Sequence, residues 1–168
     1  NGWATAAPLG SAEDLDDAAD VVEVNLTAAP ATWSYADGKS VGGFAYNGTV
    51  PGPVIEANVG DRLIVHFQND LDEATTIHWH GVRVPQEMDG SPHSQDPVEP
   101  GESFDYEFEL KDAGTFWYHP HMNEPEQLEK GLYGAIVVRD DDEPTVDTET
   151  VLMLDDITVD ENGDVAIN

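Results

Sequence analysis

Six histidines occur in the chain, and four of them form two H-x-H pairs, His78-Trp79-His80 and His119-Pro120-His121. On an extended strand the side-chain period is two, so each pair presents both imidazoles on one face. Trp79 then points to the other face. Two such strand ends lying side by side would converge four neutral, nitrogen-donating rings. That cage suits copper, zinc, iron or nickel. A single H-x-H is weak as a signal, but two in a chain with six histidines, each beside aromatic residues, point to a metal rather than to satisfied structural histidines. The other two histidines read differently. His66 shares the parity of Gln68, opposite the core residues of its segment, and is read as a surface residue. His93, in Ser91-Pro92-His93-Ser94, is read as a loop residue without a role.

The absence of cysteine narrows the chemistry. It removes disulfides, cysteine-ligated zinc, iron–sulfur clusters, thiolate catalysis and the thiolate ligand of blue copper. Zinc hydrolysis needs about three protein ligands and an open position, and one H-x-H supplies two of them. A cupin-type site would place a glutamate shortly after its H-x-H and a lone histidine in the next motif. Here Glu87 lies too far past His80, and a full second pair follows instead.

The elements that must carry these pairs read as strands. Val22, Val24 and Leu26 share one parity, and Leu63, Val65 and Phe67 alternate within Asp61–Asn69. Further strands are expected at Thr75–Trp79, Phe104–Leu110, Thr115–His119, Ala135–Val138 and Thr150–Leu154. Turn signals separate them at Ala36-Asp37-Gly38-Lys39, Asn47-Gly48 and Pro51-Gly52-Pro53. Helical periodicity is confined to a turn or two at Glu124–Lys130. Many short strands with turn-rich links indicate an antiparallel sandwich. Residues 1–20 read as a flexible acidic arm, and Asp140-Asp141-Asp142-Glu143-Pro144 as a linker signal. The strand and hairpin signals beyond it, through Glu161-Asn162-Gly163-Asp164, belong to the start of another domain.

Thirty-five acidic residues against six basic ones give a formal charge of −29 over 168 residues. Such a field opposes nucleic acid and anionic membranes as partners. High charge with 39% hydrophobic residues is also a mark of disorder, but the patterned aromatic residues argue for a folded protein with a solvated acidic surface. This is read as salt adaptation. No apolar run approaches the roughly 20 residues of a membrane-spanning helix, and no signal-peptide core is present. The chain starts at Asn1 rather than Met, which is read as processing. Asn25-Leu26-Thr27 and Asn47-Gly48-Thr49 match the glycosylation pattern and lend weak support to export.

The ordered motifs resemble one family. Ile77-His78-Trp79-His80-Gly81, Met88-Asp89-Gly90, Glu99-Pro100-Gly101, Gly114-Thr115-Phe116-Trp117-Tyr118-His119-Pro120-His121 and Gly131-Leu132-Tyr133-Gly134 together resemble the first cupredoxin domain of the multicopper oxidases, in the laccase-like branch. Tyr46-Asn47-Gly48, Pro51-Gly52-Pro53 and Gly60-Asp61 fit the same pattern. The likeness spans about residues 20–140, and Val151-Leu152-Met153-Leu154-Asp155-Asp156 is similar to the opening of the family's second domain. It implies an all-β, cupredoxin-like Greek-key sandwich over 21–143, with 144–168 as linker and the start of a second cupredoxin domain.

By the same resemblance, His78 would ligate a type 2 copper, and His80, His119 and His121 a type 3 pair, in a trinuclear cluster shared with a later domain. Asp89 would help deliver protons during dioxygen reduction, although an aspartate before glycine is also an ordinary turn residue. Trp79, Trp117 and Tyr118 would wall the site. Glu124, Glu126 and Glu129 could shape a polar channel but read better as a solvated face. The chain departs from the family in having no His-Cys-His and no type 1 copper ligands. Gln95-Asp96-Pro97 stands where some relatives carry a cysteine.

The expectation is therefore the N-terminal part of a secreted, salt-adapted, laccase-like oxidase. It would be inactive alone, completed by the remaining cupredoxin domains, and would act on dioxygen and a small reducing substrate. The alternatives are a standalone copper-binding or sequestering module and a mononuclear histidine-ligated metalloenzyme. Molar salt shortens the Debye length to about 3 Å and screens acidic self-repulsion. The fold should accordingly loosen in low salt. The midpoint of thermal unfolding is expected to rise between millimolar and molar KCl, and a constant midpoint would contradict salt adaptation.

Overall fold

Alternating hydrophobicity becomes strand pairing in two layers. The computed structural model describes residues 9–167. Residues 1–8 of the expected arm, and Asn168, lie outside the described residues. The strands are β1 (Val21–Ala36), β2 (Lys39–Tyr46), β3 (Gly52–Asn58), β4 (Arg62–Asn69), β5 (His78–His80), β6 (Ser103–Glu109), β7 (Gly114–His119) and β8 (Gly134–Arg139). One short helix, α1 (Glu124–Glu129), follows β7, and a single 3-10 turn spans Gln86–Met88. The sheets run β2-β1-β4-β6 and β3-β8-β7-β5.

The expected β-sandwich is present, but it is not purely antiparallel. β1 runs parallel to β4 from Val21↔Arg62 to Ala28↔Asn69, and β3 runs parallel to β8. The cause is the crossing of the chain between layers: a strand that re-enters a sheet after a crossover does so without a hairpin. β1 is long enough to serve two partners. Its first half lies on β4, and its second half, from Ala28, pairs antiparallel with β2. Two other strand expectations fail. Of Thr75–Trp79 only the end joins β5, while Thr75 makes an isolated bridge to Val98. Thr150–Leu154 forms no strand; Leu152 and Leu154 are exposed, and no ladder partner lies beside them among the described residues.

The core lies between the sheets, built from inward residues of both. Val22, Val24, Leu26 and Ala28 of β1, Leu63, Val65 and Phe67 of β4, and Tyr106 and Phe108 of β6 face Ile55, Trp79, Tyr118, Ile136 and Val138. Trp79 is fully buried, with its ring 5.2 Å from those of Tyr106 and Phe108 in edge-on contact. Removing a buried side chain of this size costs about 3–5 kcal/mol. Tyr118 lies across Gly134, where an added Cβ would come within 2.2 Å of its ring. These contacts fix how far β5 and β7 stand from the opposite sheet.

The edges are tied by polar contacts. The arm is anchored from Gly10 onward: Ala12 N donates to Val54 O, and Val54 N to Gly10 O. Asn47, in the left-handed region, accepts from Thr27 N at 2.7 Å and donates to Asn25 O at 2.8 Å, so its amide is engaged at both ends. Arg139, closing β8, reaches Glu149 at 2.8 Å, Glu143 at 3.5 Å and Glu56 at 3.6 Å. Beyond it, Val159 and Val165 form a single bridge around the turn at Asp160–Asp164. Among the described residues no helix is long and apolar enough to cross a membrane.

On the outer face of the first sheet His66 spans three strands. Its Nδ1 lies 2.7 Å from Asp105 of β6 and its Nε2 2.7 Å from Glu23 of β1. Only the imidazolium can donate from both nitrogens. The hydrogen bonds to Asp105 and then Glu23 raise its pKa above the ordinary 6.5. A raised folded pKa means the extra stability is complete below the unfolded value and disappears as pH climbs through the folded one. His66→Gln should therefore destabilise most at about pH 5.5 and least at about pH 8.5. Chemical unfolding of both proteins at fixed salt reads the gap, and a gap that widens with pH would refute the clamp.

Candidate metal centre

β5 and β7 pair antiparallel with His78 opposite His119, Trp79 opposite Tyr118 and His80 opposite Trp117. Because side chains alternate, His78, His80, Trp117 and His119 share one face of the sheet. Trp79 and Tyr118 occupy the other and belong to the core. The expected aromatic wall is thereby corrected: of its three members only Trp117 touches the histidines. Its ring stacks on His80 at 4.9 Å and on His119 at 4.1 Å. His121 follows Pro120 past the strand end, and its ring centroid lies 4.1 Å from that of His78. His78, His80 and His119 each bring a nitrogen within 4.8 Å of the others.

The rings are held from behind. His78 Nδ1 donates to the carbonyl of Asp89 at 2.8 Å, and His119 Nδ1 to that of Pro120 at 2.9 Å. A carbonyl can only accept, so both rings carry their proton on Nδ1 and leave Nε2 as the acceptor nitrogen. His119 Nε2 faces His80 Nδ1 at 3.3 Å. Burial lowers the His119 pKa to about 4, and the three other imidazoles push the same way against its hydrogen bond to Pro120. Burial, then His78, also lowers His121, opposed by Glu124 and Asp89. Neutral rings with free lone pairs are the state in which imidazole ligates a metal. An all-nitrogen donor set fits copper, and would also accept zinc.

The remaining predicted residues distribute unevenly. Asp89 follows the 3-10 turn, with its carboxylate 3.5 Å from His78 Nδ1, so its backbone rather than its side chain makes the shorter contact. Glu124 lies 3.7 Å from His119 Nδ1. Glu126 pairs instead with Lys130 and Asn123, and Glu129 is exposed. His93 is exposed in its loop. On its open side the group presents the exposed ring of His80.

Two buried amides escaped the sequence reading, Gln95 and Gln127. Gln127 is fully buried on α1; it accepts from Thr75 Oγ1 at 2.7 Å and donates to Ala74 O at 2.9 Å. The adjacent Thr76 Oγ1 accepts from His121 N at 3.3 Å. The helix after the second pair is thus bolted to the segment before the first. The available signal was a lone uncharged amide among Glu124, Glu126 and Glu129 in a short helix.

Comparison with known proteins agrees with this geometry. The multicopper oxidase family model matches residues 27–143. The chain belongs to the multicopper oxidases. Copper is the cofactor of that family of oxidoreductases. A multicopper oxidase of Mycobacterium tuberculosis is 40% identical over 82% of this chain and 27% of its own length. Copper resistance protein A of Escherichia coli is 44% identical over 69% of this chain and 19% of its own. The chain therefore spans about a fifth to a quarter of these relatives. Among solved structures, Lac15 from a marine microbial metagenome superposes with a TM-score of 0.80 at 41% identity, covering 86% of this chain and 40% of that one. The oxidase of Pseudomonas thermotolerans gives 0.71 at 48% identity, covering 76% and 31%. The sandwich is accordingly the cupredoxin-like one that the motifs implied.

Losing a buried hydrogen-bond partner costs about 1–3 kcal/mol per group left unsatisfied. Gln127→Met in this multicopper oxidase chain should lower stability by about that amount, because Thr75 and Ala74 lose their shared amide. Urea unfolding measures it, and an unchanged midpoint would show that water replaces the amide without cost.

Proposed function

We propose that this chain is the first cupredoxin domain of a laccase-like oxidase and contributes His78, His80, His119 and His121 to its copper cluster. The observation that carries the reading is the gathering of His78, His80 and His119, with the ring of His121 4.1 Å from that of His78, in a chain of this family. His78 is assigned to the type 2 position, and the other three to the type 3 pair. Copper, when bound, supplies the one-electron steps by which phenols or metal ions are oxidised and dioxygen is reduced to water.

The chain's own residues then bind, orient and shield. The carbonyls of Asp89 and Pro120 fix the tautomers of His78 and His119. Trp117 covers the rings and limits water. In this reading the Asp89 carboxylate, partly exposed and 3.5 Å from His78 Nδ1, would hand protons toward the cluster. With no cysteine here, the thiolate copper that accepts electrons from substrate belongs to another domain, and the isolated chain should bind copper without turning over. Support for a covering domain comes from exposed Leu152 and Leu154 and from an apolar cavity of about 420 Å³ beside Trp117. In this reading residues 144–168 are linker and the start of that second domain, and the protein is secreted into a saline medium.

In the full-length oxidase, His80→Ala and His119→Ala should each abolish dioxygen uptake while the blue absorption of the thiolate copper persists. Oxygen-electrode and visible-spectrum measurements decide it. Loss of the blue band in both variants, or retained uptake, contradicts the assignment.

A further inference from the structure

The loop that carries Asp89 is closed onto the first histidine pair by a ring of buried hydrogen bonds. Ile77 N donates to the Tyr106 hydroxyl at 2.8 Å, and Gln95 Nε2 donates to the same oxygen at 2.9 Å. Gly90 N donates to Gln95 Oε1 at 3.1 Å. Asp89 C=O and Gly90 N–H are the two ends of one peptide unit, so holding the second orients the first. Asp89 O accepts from His78 Nδ1, and His78 follows Ile77, which closes the ring. Tyr106 is fully buried and Gln95 is 7% exposed.

Each member of this ring answers a specific requirement. Gly90 has φ +74, and a Cβ there would come within 2.1 Å of Ile77 O, so only glycine allows the loop to press against β5. The Gly90 N–H needs an acceptor, while the Tyr106 oxygen receives a second donor. A side-chain amide offers one of each at a fixed spacing. A carboxylate in this place would have to accept from the Tyr106 O–H instead and would bury a charge, and an apolar side chain would satisfy neither end. Buried polar groups in such a network are costly to leave unpaired.

We propose that Gln95 is a positioning residue for the metal centre: through Tyr106 and the Asp89–Gly90 peptide it sets the ring orientation and tautomer of His78. The assignment rests on the reading of His78 as a copper ligand. Hydrogen bonding behind a ligating histidine governs its affinity, and removing such a partner weakens metal binding by about 10- to 100-fold. The sequence offers no hint of this, because Gln95 lies in a loop of turn residues and meets His78 only through intervening groups.

The test is copper(II) titration of the chain, with the electron paramagnetic resonance spectrum of the bound ion as the second readout. Gln95→Met should weaken binding by about tenfold or more and shift the spectrum toward that of His78→Ala, with one nitrogen fewer. Tyr106→Phe removes the shared oxygen with little change in volume. It should act likewise, and the double variant should lose no more than the larger single loss; Tyr106→Phe carries the test if Gln95→Met does not fold. Leu110→Ala, a core change outside the ring, should lower stability and leave the spectrum unchanged. Copper binding that His78→Ala weakens while Gln95→Met and Tyr106→Phe leave affinity and spectrum intact overturns the role of Gln95 alone. A wild-type chain that binds no copper, or binds it equally well after His78→Ala, overturns the metal reading and the assignment together.

Discussion

The pairing of β5 with β7 is the constraint on which the rest depends. β5 is three residues long, and its single inward side chain, Trp79, sits against Tyr106 and Phe108 of the other sheet. With Trp79 committed to the core, His78 and His80 have no choice of face. The antiparallel register then sets His119 opposite His78. A one-residue slip would send both imidazoles of β5 inward and an indole into water. The hydrophobic effect thus places a polar site without any residue of the site taking part.

From this pairing outward, the site is held by backbone carbonyls more than by charged side chains. Asp89 and Pro120 supply the acceptors for His78 and His119, and Gln95 and Gln127 hold the loops in which these acceptors and His121 lie. In a chain with this density of acid, neutral partners have a distinct merit. They fix a ring's tautomer without adding negative charge beside the rings, so orientation is separated from electrostatics. Asp89 combines both: its carbonyl orients His78, and its carboxylate lies 3.5 Å from the same nitrogen.

Much of this was legible in the sequence, and what was not has a common cause. Periodicity of two located most of the strands, and it placed His78, His80 and His119 because a strand's facing depends on adjacent residues alone; it missed β3, whose start at Gly52 reads as a turn, and His121, which lies past the end of β7. The parallel pairings of β1 with β4 and β3 with β8 depend on how the chain crosses between layers, which periodicity does not encode. The aromatic wall was over-assigned because Trp79 and Tyr118 are neighbours of the histidines in sequence yet face away from them. Gln95 carried no signal, and Gln127 only the weak one of an uncharged amide among glutamates, because an amide's worth is set by partners about 10 to 50 positions away, such as Tyr106 and Thr75. The family motifs recovered the fold, and the physics of the loops had to come from the structure.

Arg139 has a consequence for how the chain leaves the domain. Where basic residues are so few, one guanidinium serves Glu56 on β3 and Glu143 and Glu149 in the departing segment. Attraction of this kind at a half-open site is weakened by the same ions that relieve repulsion between carboxylates elsewhere. In a concentrated medium the ties of Arg139 to Glu143 and Glu149 therefore slacken, and the direction in which the following polypeptide sets off is less fixed than at low salt.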